Sequence, residues 1–420
     1  MTPPLIRLAA ASAWNRRAAL SLTVLAVALS VMLLLGVERL REQVREGFAQ
    51  SVSGADLIVG ARGSPLQLML YSVFRIGEAT HNVEWSSVEA LAAHPAVKWV
   101  IPISLGDSHR GYPVLATNHV YFERFQTGDK RPLRLADGRV FDELFDTVLG
   151  AEVAHALGYR PGDRITLTHG SGEFGPEHAD KPFTVVGVLA RTGTPVDNTV
   201  HISLEAMEAI HLDWQGGAPI PGLDIRAEHV RKFDLSPKTV TAAILGLESR
   251  AAVFSVQRWV NRYAGEPLMA VLPGVALAQL WQALGYAEKA LLAVSMLVVG
   301  VGLAGLVAVV LAGLDQRRRE LAILRAVGAR PRDILALLTF EGLGLTFIGA
   351  LAGVLLLTAL SLVAAPLAEA RLGFALSVGL PSLHELFLLA GVIIVGFLAS
   401  LLPAWRAYRV SLADGLTPRT

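Results

Sequence analysis

Cysteine is absent from this 420-residue sequence. That excludes disulfides, thiolate metal sites and cysteine nucleophiles, and it fits a chain with a large part in an oxidising compartment. Charge is scarce too. Asp, Glu, Lys and Arg make up 17% of the residues and hydrophobic types 53%, where soluble domains carry about a quarter charged residues. A membrane protein is the first expectation. The formal net charge is +1 and there is no basic tail, so no nucleic-acid partner is implied. The dipeptide Gly-Lys occurs nowhere, which excludes a GxxxxGK[ST] loop and ATP binding through one. Neither HExxH nor a nucleophile elbow is present, so hydrolase chemistry has no support. No catalytic or cofactor-binding residue is assigned, and enzymatic activity is not expected of this chain.

What is abundant is long apolar runs. A spanning helix needs roughly 20 apolar residues, and four segments qualify: 18–37, 290–314, 342–368 and 386–402, the last expected to stop at Pro403. The first follows Arg16 and Arg17, as a signal peptide would. Its apolar run exceeds the usual h-region and Glu38-Arg39 follows without a small-x-small site, so it reads as an uncleaved anchor. Arginines set the orientation. Arg7, Arg16 and Arg17 flank the first span, six arginines lie between spans two and three, and Arg406, Arg409 and Arg419 follow span four. The short loop 369–385 between spans three and four has only Arg371. The N-terminal segment 1–17, the segment 315–341 and the tail 403–420 are therefore expected in the cytoplasm, and 38–289 on the opposite side. Glu341, at the start of span three, is an intramembrane charge in search of a partner; Arg325, Arg330 or simple exposure at the interface would each account for it.

The segment 38–289 has ordinary soluble composition. Glu38–Gln50 and Val275–Lys289 prolong spans one and two with apolar residues at helical spacing (Leu40, Val44, Phe48; Leu277, Leu280, Trp281, Leu284), as two stalk helices would; ordinary helices packed on a core would show the same spacing. Between them, runs rich in β-branched residues at 56–59, 98–104, 112–116, 147–149, 164–168 and 182–189 predict strands. Helices are predicted at 151–157 and 204–210, and a strand followed by a helix within 238–263. The fold class is thus an α-helical four-span bundle with a large mixed α/β extracytoplasmic domain on two stalk helices. Ten of the eleven histidines lie in this domain. Neutral imidazole is a common zinc ligand, and the loop HGSGEFGPEHAD places His169, Glu173, Glu177, His178 and Asp180 within a dozen residues. No HxH or HxxxH pair occurs anywhere, so this loop would have to fold back on itself to bind a metal, and solvated surface histidines are the commoner outcome.

The stretch RRRELAILRAVGARPRDIL divides spans two and three. Leu321, Leu324 and Val327 fall on one side of a helix and Arg318 and Arg325 on another. Gly328 breaks that helix, and Pro331 suits the first turn of the next. Arginines on a loop need mean nothing beyond the positive-inside rule, and Arg317–Arg319 fit that reading. The bend RAVGARPRD does not reduce to it. In spans two and three, Gly300-x-x-x-Ala304 and Gly349-x-x-x-Gly353 supply small residues for close helix contacts, between subunits or within one.

The run Arg317–Gly353 resembles the region around spans two and three of MacB/FtsX-type ABC transporter permeases. ADGRVFDELFDTVLGAEVAHALGYRPGDRITL with the following PFTVVGVLA resembles that family's periplasmic core domain, and LLPAWRAYRVSLADGL resembles its closing motif, with Leu412-Ala413-Asp414 in place of the usual Asp-Pro. The resemblance implies that the bend is a coupling segment docking into a groove of a separate ATPase. The residues concerned are Glu320, Leu321, Leu324, Arg325, Ala326, Val327, Gly328, Ala329, Arg330, Pro331, Arg332 and Asp333. It implies a homodimer or a paralogous pair in the bacterial inner membrane, with two ATPase copies holding ATP and Mg, membrane lipid around the spans, and a periplasmic adaptor or substrate-binding protein as a further partner. ATP-driven movement would then reach the periplasmic domain through the stalks, by mechanotransmission, to export or extract a substrate. An FtsX-like transducer controlling an extracytoplasmic enzyme, and a zinc-handling system with periplasmic binding partners, are the alternatives.

Overall fold

A computed structural model describes residues 16–51, 54–128, 130–170, 175–215, 218–223, 225–316, 318–326, 328–372 and 379–409. The chain divides into two compact units, with boundaries close to residues 43, 284, 366 and 375.

The first unit is a helical bundle. Its elements are α1 (Arg17–Gln50), α8 (Pro273–Gln316), α9 (Arg318–Ala326), α10 (Pro331–Leu372) and α11 (Leu383–Arg409). Four of these, all but α9, are long and apolar enough to cross a membrane. Leu20, Val27, Val31, Leu34 and Leu35 of α1 meet Val299, Leu303, Leu306 and Val310 of α8, with Leu345, Ala350 and Leu357 of α10 and Val392 of α11. On α1 these positions are three, four or seven residues apart, save for the adjacent Leu34 and Leu35, and so fall on one side of the helix. The opposite faces are equally greasy: Leu22, Leu29, Leu297, Val301, Phe347 and Leu355 are exposed. Helices apolar all round suit lipid and not water. Buried hydroxyls do not waste their donors. Thr23, Ser30, Thr339 and Thr346 each donate to the carbonyl four residues back, at 2.8–2.9 Å, and Ser30 also reaches Val298 O of α8 at 3.2 Å.

Pro403 does not end the fourth helix; α11 runs through it to Arg409. Proline forfeits one helical hydrogen bond, but the last turns are held by packing. Ala404 and Ala407 are buried with Leu314, Ile334 and Leu338.

The second unit is mixed α/β. The strands of its main sheet are β1 (Leu57–Ala61), β2 (Val97–His109), β3 (Tyr112–Thr117), β4 (Leu135–Gly138), β5 (Asp146–Leu149), β6 (Arg164–Ile165), β7 (Thr168–His169), β8 (Phe183–Leu189), β9 (Val200–Ser203), β10 (Ala242–Leu247) and β11 (Leu268–Val271). They form one sheet in the order β11-β1-β10-β2-β3-β9-β5-β8-β4, with β7 on β2 and β6 on β8. Most pairings are antiparallel; β9 with β3 and β5 with β8 are parallel. The helices of this unit are α2 (Pro65–Ser72), α3 (Trp85–Ala92), α4 (His119–Arg124), α5 (Ala151–Leu157), α6 (Leu204–His211) and α7 (Val253–Asn261).

Both sheet faces are covered. Leu57 and Val59 enter one core with Val114, Val200, Val256 and Val260, while Ile58 between them enters the other with Leu68, Phe141 and Tyr121. This is the period-2 alternation of a strand with apolar partners on both sides. The ends of the predicted stalks join in partly. Phe48 lies 5.7 Å edge-on from Trp281, and Arg45 sits 5.5 Å over the same indole; Phe48 and Leu277 both pack against the second core. Leu40 and Leu284 are exposed, so the stripes are not buried along their whole length.

Candidate functional site

The bend between α9 and α10 has the geometry of a terminated and restarted helix. Gly328 has φ 106°, a left-handed conformation that costs glycine nothing. Its N–H donates to Arg325 O at 3.1 Å, and the Ala329 N–H donates to Leu324 O at 3.0 Å. Those two bonds are the Schellman pattern that closes a helix on a glycine. Pro331 then opens α10, and the Arg330 N–H donates to the Asp333 carboxylate at 2.9 Å. The acidic side chain in the first turn thus satisfies a backbone donor that the helix cannot. Ala322 is buried and Leu321 packs into the small core around Leu338 and Ala404. Ile323, Ala326, Arg330, Arg332 and Asp333 are exposed, while Leu324, Arg325, Ala329 and Pro331 are half-buried. Val327 lies outside the described residues, as do the surroundings of the Glu320 side chain. The result is a corner capped on both sides, with Arg330 and Arg332 exposed.

The small residues divide by helix. A Cβ on Gly349 would come within 2.7 Å of Val27, and one on Gly353 within 2.7 Å of Ala28 O, so α10 lies against α1 there. A Cβ on Gly300 would meet nothing within 4 Å among the described residues, and Ala304 is exposed. The glycine of α8 that α1 approaches is Gly302, whose added Cβ would meet Ser30 Oγ at 2.7 Å. Glu341 receives Arg16 Nη2 at 2.7 Å, a partner the arginine-rich loop did not suggest.

Two of the candidate metal ligands come together and find two companions from elsewhere in the sequence. His169 on β7 sits directly across from Asp107 on β2 in the antiparallel register. His178 returns beneath them because its N–H donates to Leu167 O at 2.9 Å. His211 closes α6. One ligand atom from each of Asp107, His169, His178 and His211 lies within 4.8 Å of all the others. A Cβ at Gly175 would strike the His169 carbonyl, so the fold-back of this loop depends on that glycine. Glu177 is exposed and Asp180 pairs with Lys181 at 2.5 Å, both apart from the cluster; Glu173 lies outside the described residues. Burial pushes the His178 ring down to about 4. At His211 burial works against the charged form, but Asp107 and the Met207 carbonyl outweigh it and hold the ring above its ordinary value.

Comparison with known proteins gives this arrangement a family. The model of the MacB-like periplasmic core domain matches residues 20–235, and that of the FtsX-like permease C-terminal region matches residues 292–412. The chain belongs to the MacB/FtsX-like ABC permease family. The lipoprotein-releasing system transmembrane protein LolC of Neisseria meningitidis is 26% identical over 234 residues, covering 54% of this chain and 50% of LolC. The pyoverdine export ATP-binding/permease protein PvdT of Pseudomonas putida is 27% identical over 429 residues, covering 96% of this chain and 58% of PvdT. The permease spans about half the length of the curated relatives it matches along most of its sequence. Among solved structures, the periplasmic region of MacB from Actinobacillus actinomycetemcomitans aligns at a TM-score of 0.33 with 12% identity, over 56% of this chain and 97% of that one.

The permease also carries a charged cluster that reading by segment did not reveal. Arg39 of α1 gives two hydrogen bonds, both 2.9 Å, to the Glu385 carboxylate at the start of α11. Glu385 is 2% exposed and Arg39 9%. Nearby, Glu38 accepts from Arg41 at 2.5 Å and lies 3.3 Å from His384, while Arg41 reaches Glu288 of α8 at 3.7 Å. Ser382 and Glu385 form a capping box: the Glu385 N–H donates to Ser382 Oγ at 3.2 Å and the Ser382 N–H to Glu385 Oε2 at 3.0 Å. The cap was visible as Ser-x-x-Glu before an apolar run; the 346-residue link to Arg39 was not.

Proposed function

We propose that the permease is the membrane half of an ABC transporter whose ATP and Mg are held by a separate ATPase subunit, two copies per pair of permeases. The observation that carries this reading is the capped corner at Gly328, beside which Arg330, Arg332 and Ile323 are exposed. A corner that must transmit force cannot be a floppy linker, and both of its helix ends are closed by hydrogen bonds. The reading puts α9 and both termini in the cytoplasm, following the arginines, and the α/β unit in the periplasm. It makes the movement of that unit the output, with the substrate handled outside the cytoplasm. The buried hydroxyls of the bundle support it: Thr23, Ser30 and Thr346 each donate to a backbone carbonyl of their own helix.

Charge reversal at the exposed corner tests the docking. Arg330→Glu with Arg332→Glu should abolish co-purification of the ATPase with the permease and its coupled activity, with the helices intact by circular dichroism. Undiminished association and coupling would refute it.

A further inference from the structure

The geometry points to a binding site for one first-row divalent transition cation in the α/β unit, held by Asp107, His169, His178 and His211, with zinc the member that best suits this donor set. The argument begins with unsatisfied groups. His178 is 0% exposed and neither of its ring nitrogens has a hydrogen-bond partner among the described residues. Asp107 is buried as well. His169 Nδ1 lies 3.1 Å from Asp107 Oδ1, yet neither carboxylate oxygen receives a hydrogen bond of acceptable direction from the described residues. Buried polar groups almost always have partners, and those without one need a reason.

The tautomers sharpen the problem. His211 Nδ1 is 2.8 Å from Met207 O. A carbonyl only accepts, so Nδ1 carries the proton, and in the neutral ring Nε2 is a bare lone pair. That lone pair lies 3.6 Å from Asp107 Oδ1 and 3.0 Å from His169 Nδ1. The His169 N–H can donate to that lone pair, but the Asp107 carboxylate and the His178 ring are left with no hydrogen-bond partner among the described residues, and one ligand atom from each of the four side chains converges on the same mostly buried place. A cation at their centre satisfies all of them at once. Zinc held at about 2.0–2.1 Å by tetrahedral ligands spaces them roughly 3.4 Å apart. Four of the separations, 3.0, 3.1, 3.6 and 3.9 Å, fall around that value, and all four ligand atoms lie within 4.8 Å of one another.

The surroundings are those of a built site. The Met207 carbonyl orients His211 as an outer-shell acceptor does for ligating histidines. The segments His178-Ala179-Asp180-Lys181 and His211-Leu212-Asp213-Trp214 are clamped to each other by Lys181, whose fully buried ammonium donates to Asp213 at 2.9 and 3.0 Å. That lysine is neutralised by Asp213 and Asp180, so it does not oppose a bound cation as a free charge would. The Trp214 indole lies 4.1 Å from the His178 ring, centroid to centroid, and shields one side. His169 and His211 remain part-exposed, which leaves a way in. Three imidazoles and one carboxylate favour zinc, copper, nickel or cobalt over magnesium or calcium. The inference stands apart from ATPase docking: either can fail without the other.

The test uses the full chain in detergent, stripped with chelator and titrated with zinc chloride against a competing chromophoric chelator. We expect one zinc per chain with a dissociation constant below ~1 µM and X-ray absorption showing imidazole and carboxylate ligands. His211→Ala, at the partly open side, should weaken binding at least ~100-fold and Asp107→Asn on the order of 10-fold; His81→Ala and His155→Ala, both exposed, should leave it unchanged. Far-UV circular dichroism of each variant identifies any that fails to fold, and His169→Ala then replaces it. Absence of binding at 10 µM zinc, or tight binding that survives His178→Ala with His211→Ala, would overturn the proposal.

Discussion

Replacing Glu385 by glutamine asks how much one buried ion pair holds in the helix bundle. The amide keeps the shape of the carboxylate and can still accept the Ser382 N–H, so the helix cap survives. What disappears is the negative charge facing Arg39, which is 9% exposed and whose Nη1 lacks a partner among the described residues. Stranding a buried charge in this way costs ~3–5 kcal/mol. A unit of this size shifts its melting temperature by roughly 2–4 °C per kcal/mol, so the expected loss is on the order of 6–20 °C. The assay is thermal unfolding of the purified permease in detergent, followed by circular dichroism and by light scattering. Arg39→Met with Glu385→Leu, which removes both charges and fills the space, should return to within about 1–2 kcal/mol of the parent. If Glu385→Gln melts within 2 °C of the parent, the pair contributes little and the reasoning from burial is wrong. If the double variant is as unstable as the single one, packing and not charge is what the site supplies.

Gly353→Leu should destabilise the bundle by about 1–3 kcal/mol through overpacking against Ala28 and Val31, whereas Gly300→Ala, which meets nothing within 4 Å among the described residues, should stay within about 0.5 kcal/mol; melting of both variants decides. Gly328→Ala forces a Cβ into φ 106° and should cost about 1 kcal/mol or more, with reduced ATPase stimulation, and Gly328→Asn should recover part of it because asparagine tolerates this conformation. His201 is fully buried, and burial with the nearby Arg75 charge lowers its ring to about 3. Its neutral form is the one the fold accepts, so the contribution is complete above the unfolded value near 6.5 and is lost as pH falls from there towards 3, at up to ~1.4 kcal/mol per pH unit. Denaturant unfolding at pH 7.5 and 5 should show a smaller difference in His201→Leu than in the parent; an equal difference would place the acid sensitivity elsewhere.

The elements with the clearest local code were legible in the chain. Ala151–Leu157 was expected and found with those bounds, since the Gly158 cap and the turn at Pro161-Gly162 close it by local chemistry. The strand at 182–189 differs from the observed Phe183–Leu189 by one residue. The run 164–168 was expected as one strand, but it is two short ones, because Arg164–Ile165 pairs with β8 and Thr168–His169 with β2; a change of partner has no signature in composition. Strands β9 and β11 were missed for the related reason that four residues each carry too little pattern, and only the neighbours Val114 and Ile58 define them. The cation cluster shows the same limit. His169 and His178 were found as neighbours in a loop, but Glu173, Glu177 and Asp180 attracted equal notice, His211 counted only as one of ten histidines in the domain, and Asp107 attracted none for this role.

Sequence alone determined the class of this protein: four apolar runs, basic loops, no P-loop and a Gly-Pro corner, each a matter of side-chain transfer energies or backbone freedom acting within about twenty residues. Tertiary structure decided which groups meet. Gly353 found Ala28, Arg39 found Glu385 and His211 found Asp107, pairs separated by more than a hundred residues. Such meetings are set by sheet register and helix packing, which sum many weak preferences over the whole chain. That is why the permease could be placed in its family from local motifs, while the ion pairs and the cation site waited for the fold.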